Sequence, residues 1–118
     1  MAPEILNRLL GQETRESLPA IDYPATDMWA LGVMAFRMLT GAEPFAGLSD
    51  VVRYYNHPEL FPHSLLDDCH ASPDGTAFIR ESMQPKPSER LRSSQAACHS
   101  WVRRYGMKVP VNPAVDRR

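Results

Sequence analysis

The sequence is poor in cysteine, in long apolar runs and in net charge, and each shortage excludes a class of protein. Two cysteines, Cys69 and Cys98, provide no disulfide framework, so we expect an intracellular, reducing location with the cytoplasm as the default. The longest uncharged apolar run, residues 28–36, is far shorter than the about 20 residues of a membrane span, and no secretory signal precedes it. Thirteen basic and 14 acidic residues give a formal net charge of −1, which predicts no binding to nucleic acid or to an anionic membrane.

The composition that is present favours one helical domain. A chain of 118 residues with 43% hydrophobic content can form one hydrophobic core and is too short for two domains. Eleven prolines against six glycines predict helices separated by stiff turns, and no segment shows a strong strand pattern. The predicted fold class is therefore all-α.

The N-terminal quarter predicts a short helix followed by a loop. Residues 3–10 can form the helix, because proline is tolerated in a first turn, and Gly11 would end it. Residues 12–25 contain two prolines and no convincing periodicity, so they are expected to form a loop.

A long central helix is predicted next. Thr26 or Asp27 can cap it, and it should run to Leu39 or Thr40 with Gly41 just past its end. Its residues are apolar on nearly every face, which predicts neighbours all round.

The second half predicts several short helices. The first is expected over residues 48–55, with Ser49 or Asp50 near its cap, and the second over residues 64–69. The third should start at Ser72 or Asp74 and stop before Pro85. The fourth should cover residues 93–101, with Ser93 as its cap. Side chains expected to face inward are Phe78, Ile79, Met83, Ala96, Ala97 and Trp101. Residues 103–118 are expected to form a mobile tail.

Five short motifs occur in a fixed order along residues 1–102. They are Ala2-Pro3-Glu4; Asp27, Trp29 and Gly32; Thr40-Gly41-x-x-Pro44-Phe45; Phe78-Ile79; and Pro87-Ser88-Glu89-Arg90 followed by His99-Ser100-Trp101. This series resembles the C-terminal part of the large lobe of protein kinases. The Thr-Gly form of the turn resembles the serine/threonine branch, and the calmodulin-dependent-like group is the nearest within it.

The resemblance implies a partial kinase large lobe without a small lobe. In the family, the glutamate of the first motif pairs with the arginine of the last, which are Glu4 and Arg90 here. The central-helix aspartate of the family accepts backbone hydrogen bonds from the catalytic loop; here that residue is Asp27, and an ordinary helix-capping role is expected instead. Trp29 and Gly32 complete the set of structural positions that the resemblance implies.

The parts of a kinase that perform catalysis are missing from the sequence. It contains no GxGxxG, no VAIK-like strand, no HRD and no DFG string. We therefore assign no catalytic, cofactor-binding or metal-binding residue, and expect ATP and magnesium to belong to a parent kinase of which this chain is an inactive fragment. Met1 is then an internal residue taken for a start. The alternative is a noncatalytic lobe remnant that acts as a protein-interaction module.

Rival sites in the sequence are weaker. Cys69-His70 and Cys98-His99 have the composition of a zinc site, but adjacent helical residues point in different directions, so ordinary packing is favoured. A carboxylate pair for hydrolysis could be drawn from Asp67, Asp68 and Glu59, but neighbouring aspartates in a proline-bounded loop are more typical of a solvated surface or a helix cap.

The expected partners are proteins. A substrate or a regulator of the parent kinase would bind this part of the lobe. In the isolated chain, apolar surface around Met28, Leu31, Met34 and Met38 should be exposed and should lead to self-association.

Overall fold

The computed structural model describes residues 1–9 and 21–106, and all regular secondary structure in that part of the chain is helical. The seven α-helices are α1 (Pro3–Leu9), α2 (Tyr23–Thr40), α3 (Leu48–Asn56), α4 (His63–Asp68), α5 (Pro73–Ser82), α6 (Ser93–Ala96) and α7 (Ser100–Gly106). Two 3₁₀ turns, Pro58–Leu60 and Pro87–Glu89, lie between them. The predicted all-α class is confirmed. None of the described helices combines the length and apolar character that a bilayer crossing requires.

Helix α2 starts earlier than the sequence pattern predicted. Asp22 is its N-cap, and the Asp22 carboxylate accepts a hydrogen bond of 3.1 Å from the amide of Ala25. Pro24 lies in the first turn, where backbone N–H groups have no partner within the helix, so the N–H that proline lacks costs no helical hydrogen bond. The predictions that the loop extends to residue 25 and that Thr26 or Asp27 caps the helix were wrong. Gly11, predicted to end the first helix, and residues 12–20 of the predicted loop lie outside the described residues. The predicted end is confirmed, because Gly41 adopts φ 72° and donates its N–H to Arg37.

The core forms around α2 in two clusters. The larger one contains the buried side chains of Ala2, Leu6, Trp29, Phe36, Val51, Tyr54, Phe61, Leu66, Ile79 and Met83. The smaller one contains Met28, Phe78 and Ala96, with Leu91, Trp101 and Val102 packed against it. Every helix from α1 to α7 except α2 is short, so packing against α2 and its neighbours supplies the stability that isolated short helices lack.

The middle helices agree closely with the predicted ranges. Ser72 caps α5, since its hydroxyl accepts a hydrogen bond of 3.0 Å from the amide of Gly75. The predicted burial of Phe78, Ile79 and Met83 is confirmed. Helix α3 starts at Leu48 as predicted, with Gly47 as its N-cap and with Ser49 and Asp50 in its first turn, and it ends one residue later than predicted.

The single last helix that the sequence predicted is broken in two. Cys98 and His99 donate their amides to carbonyls three residues back, which ends α6 in a tight turn, and the Nδ1 atom of His99 then accepts the amide of Trp101 at 3.1 Å to start α7. This break turns Ala97 outward, contrary to its predicted burial, while Ala96 is buried as expected. Ser93 is the first residue of α6 and Arg92 its cap. Helix α7 continues to Gly106, and residues 107–118 of the predicted tail lie outside the described part.

Candidate functional site

The buried guanidinium of Arg90 joins three separate parts of the chain. It donates to both carboxylate oxygens of Glu4, with Nη2–Oε1 at 2.6 Å and Nη1–Oε2 at 2.8 Å. It also donates to the carbonyl oxygens of Gln84, Ala25 and Pro85 at 2.8, 2.9 and 3.0 Å. An arginine has five N–H donors, and all five are used here. The predicted pairing of Glu4 with Arg90 is present; the Arg90 side chain is fully buried and the Glu4 side chain is 15% exposed.

Glu4 is held in its ionised form by this arrangement. Burial by itself would raise the pKa of Glu4, but hydrogen bonds from Arg90 and from the hydroxyl of Thr26, the latter at 2.8 Å, lower the pKa below its ordinary value. Thr26 was expected as a helix cap, and its hydroxyl instead links the start of α2 to α1. We call the group of Glu4, Thr26 and Arg90 the junction.

The ring of Trp29 covers the guanidinium of the junction. The Arg90 Cζ atom lies 5.3 Å from the ring centre, a distance at which cation–π attraction operates. Trp29 is itself buried against Phe45, stacked at 6.2 Å, and against Tyr54 at 6.1 Å. The indole therefore connects the junction to the larger core cluster.

Tyr54 places a second polar anchor in the core. Its hydroxyl donates to the carbonyl of Met83 at 2.8 Å, and burial raises the pKa of Tyr54 above its ordinary value. The sequence analysis did not single out this residue. The i, i+3 spacing of Val51 and Tyr54 was the available signal, since both face the core from α3.

Asp27 lies in the second turn of α2 with its side chain exposed. It does not cap the helix, and within residues 1–9 and 21–106 its carboxylate makes no hydrogen bond or ion pair. The same face of α2 carries Leu31, Met34 and Met38, which are 42%, 56% and 78% exposed. These three residues form what we call the stripe. Exposure was also expected for Met28, but Met28 is buried because Phe78 and Ala96 cover it.

The described residues do not assemble an obvious chemical centre. In that part of the chain, no three His, Cys, Asp or Glu side chains lie close enough to hold a metal ion, and Cys69 and Cys98 are free and exposed. A cavity of about 360 Å³ lies between the start of α2 and residues 87–94. The buried cation that lines this cavity is Arg90, whose donors are all occupied. The arrangement is suited to holding chain segments together.

Comparison with known proteins identifies the family. The family model described as Protein kinase domain matches residues 1–102. The chain therefore belongs to the protein kinase domain family, which confirms the family to which the five motifs pointed.

Similar proteins are named as kinases that act on serine or threonine or depend on calcium. The chain is 31% identical over 117 residues to CDPK-related kinase 7 of Arabidopsis thaliana, covering 93% of this chain and 17% of that protein. It is 28% identical over 126 residues to calcium-dependent protein kinase 5 of Oryza sativa subsp. japonica, and this match covers 100% of this chain and 20% of that protein. It is 30% identical over 88 residues to serine/threonine-protein kinase 17A of Oryctolagus cuniculus, and this match covers 74% of this chain and 22% of that protein.

The match covers only a small part of each relative. The chain spans about a fifth of the length of these proteins. No solved structure matches it significantly.

Proposed function

We propose that residues 1–102 are the C-terminal part of the large lobe of a serine/threonine protein kinase. The observation that carries the proposal is the junction, in which Glu4 and Arg90 are 86 residues apart and make two hydrogen bonds in a buried position. In the parent enzyme this part would hold the base of the activation segment against the C-terminal helices. The parent reaction would transfer the γ-phosphoryl group of ATP to a hydroxyl of a protein substrate.

ATP and magnesium do not fit the residues present. The sequence contains none of the phosphate-binding or magnesium-binding strings of a kinase, and the described residues offer no carboxylate set for a cation. Arg90, the buried cation that lines the cavity between the start of α2 and residues 87–94, has all of its donors bound to protein acceptors. We therefore assign no catalytic step to residues 1–118. Their proposed role is to support the catalytic parts of the parent and to offer surface to a protein substrate or regulator.

The proposal is tested by assaying purified residues 1–118 for phosphorylation and for nucleotide binding. We expect no transfer of labelled phosphate from ATP and magnesium to a general protein substrate, and no saturable binding of a fluorescent ATP analogue. A full-length serine/threonine kinase assayed in parallel is the positive control. Phosphate transfer above a mock preparation would overturn the proposal that the chain lacks the catalytic parts.

A second candidate function is a noncatalytic interaction module, and the exposed stripe on α2 favours it. Contiguous apolar surface commonly marks an interface. Mapping the 5′ end of the transcript separates the two candidates. In-frame upstream exons that encode HRD and DFG strings would support the kinase, whereas a transcript that starts just before Met1 without them would support the module. A sharp, cooperative melt of the isolated chain would also support the module.

An intracellular, reducing compartment is the proposed location. Support comes from the two cysteines, both of which are unpaired and exposed.

A further inference from the structure

The side chain of His99 links the end of α6 to the start of α7. Its Nδ1 atom accepts the backbone N–H of Trp101 at 3.1 Å, in the manner of a helix N-cap residue. The first N–H groups of a helix have no acceptor within the helix, so a side chain that supplies one stabilises the helix start where it stands. This hydrogen bond therefore helps to fix the direction in which α7 leaves α6.

The direction of α7 matters because its tryptophan fits closely against α5. The ring centres of Trp101 and Phe78 lie 5.2 Å apart, and a β-carbon built on Gly75 would lie 3.2 Å from two atoms of the indole. Such a close contact is lost when the helix that carries it rotates. His99 packs edge-on against the same Phe78 ring, with 5.2 Å between ring centres, and its side chain is only 12% exposed.

The hydrogen bond from Trp101 requires an imidazole without a proton on Nδ1. A neutral histidine has one ring nitrogen that donates and one that accepts, whereas both nitrogens donate in the protonated form. The contact with Trp101 thus assigns the proton of the neutral ring to Nε2, which lies 3.7 Å from a carboxylate oxygen of Glu81. A proton on Nδ1 would face the N–H of Trp101. Binding that proton and capping α7 therefore exclude each other.

The charged groups around the ring favour its release from α7 once it is protonated. Glu81 is the carboxylate that α5 places beside the ring, and it is about half exposed. The four residues of α6 include no ionisable side chain, and Cys98, the neighbour in the chain, is an exposed thiol. On α7, Arg103 donates its backbone N–H to the His99 carbonyl at 2.8 Å, and its side chain is exposed. An imidazolium would be attracted to Glu81, while its Nδ1–H would repel the start of α7.

We propose that His99 is a pH-sensitive hinge, which fastens α7 against α5 when the ring is neutral and releases α7 when the ring is protonated. Histidine is the side chain whose ordinary titration falls between about pH 5 and pH 8, so small changes of pH operate such a hinge. The released element would be the C-terminal end of the described chain, because α7 ends at Gly106. The hinge concerns contacts among residues 75–103 and does not depend on which candidate function is correct.

Hydrogen exchange of the Trp101 amide, followed by NMR on residues 1–118, tests the hinge. Protection of this amide in the wild type should fall at least about tenfold between about pH 7.5 and about pH 5.5, relative to His99→Asn at the same pH. Asparagine is the reference because its side-chain oxygen can cap a helix start and does not titrate. His57→Asn is the matched control, since His57 also lies beside a carboxylate, Glu59, but its side chain caps no helix. This variant should keep the wild-type pH dependence.

A further variant, Glu81→Gln, tests the role of the neighbouring carboxylate. Without the charge that attracts the imidazolium, exposure of the Trp101 amide should require a lower pH than in the wild type. Circular dichroism verifies that the helices of each variant are retained.

Three results would overturn the hinge. They are constant protection of the Trp101 amide in the wild type across this pH range, an equal loss of protection in His99→Asn, and a neutral His99 ring whose proton is found on Nδ1 by NMR of the ring nitrogens. The phosphorylation assay and the transcript map are unaffected by these results, so the proposed functions stand or fall separately.

Discussion

Gly32 of α2 lies directly against Met83, the C-cap residue of α5. A β-carbon built on Gly32 would lie 2.7 Å from the Cγ atom of Met83 and 2.9 Å from the Cβ atom of Ser82. Ser82 and Met83 are both fully buried, so neither can move into solvent. The missing side chain at position 32 therefore sets how closely the two helices approach, and this approach brings Met83 within reach of the Tyr54 hydroxyl.

Gly32→Ala should destabilise the fold even though alanine is the better helix former. The added methyl group has no space, and overpacking of this kind costs about 1–3 kcal/mol of unfolding free energy. Urea denaturation followed by circular dichroism at 222 nm measures it, at one protein concentration for all variants. Gly47→Ala is the comparison variant, because a β-carbon there meets no atom within 4 Å and the change removes only the N-cap preference for glycine, at most about 1 kcal/mol. Equal midpoints for the two variants would show that the contact is not tight.

Arg90→Ala should cause a large loss of stability. It would leave the Glu4 carboxylate and three carbonyl oxygens without their donor, and breaking a buried pair in this way costs about 3–5 kcal/mol. Arg90→Lys should recover only part of the loss, since an ammonium cannot reproduce the two-pronged contact with Glu4. The same urea titration measures both variants.

The comparison variant for Arg90 is Arg37→Ala, which removes the exposed pair with Glu43. We expect a change below about 1 kcal/mol. A similar effect for Arg37→Ala and Arg90→Ala would contradict the buried character of the junction.

Stability should fall with acidification in a way that depends on Glu4. Because the folded-state pKa of Glu4 is lower than the unfolded value of about 4.3, the stabilisation is fully present above that pH and is lost as pH falls through the folded pKa. Unfolding free energies of the wild type and of Glu4→Gln, measured from pH 7 to pH 3, should therefore converge at the acid end. A constant difference across this range would refute the lowered pKa.

Tyr54→Phe should destabilise the protein while leaving the ring contacts in place. The Met83 carbonyl would remain buried without its donor, which costs about 1–3 kcal/mol. Tyr23→Phe is the control, since Tyr23 is 66% exposed and should change stability little. Thermal melts of both variants, read against the wild type, test this hydrogen bond.

The local parts of the fold could be predicted because they depend on near neighbours in the sequence. Gly41 ends α2 since glycine adopts positive φ without a steric penalty, and Ser72 starts α5 by accepting an amide three residues ahead. The periodicity of Phe78, Ile79 and Met83 indicated the face that α5 buries.

The errors occur where a side chain takes a hydrogen-bond or packing partner that the helix pattern does not specify. Thr26 is a good cap by type, yet its hydroxyl bonds to Glu4, 22 residues away, and Asp22 becomes the cap. Residues 93–101 are compatible with one helix, but the Trp101 amide bonds to His99 and the helix breaks. Met28 belongs to an apolar helix whose exposed side could not be told from sequence, because the helix is apolar almost all round.

The sequence by itself determined the family, the helical class and the pairing of Glu4 with Arg90, because these follow from motifs and from short-range backbone preferences. Only the tertiary structure decided that all five donors of Arg90 are satisfied. It also decided that, among residues 1–9 and 21–106, Asp27 has no partner, and that Leu31, Met34 and Met38 are exposed while Met28 is buried. Burial and hydrogen-bond satisfaction depend on which segments meet in space, and a sequence pattern specifies each segment without specifying its neighbours.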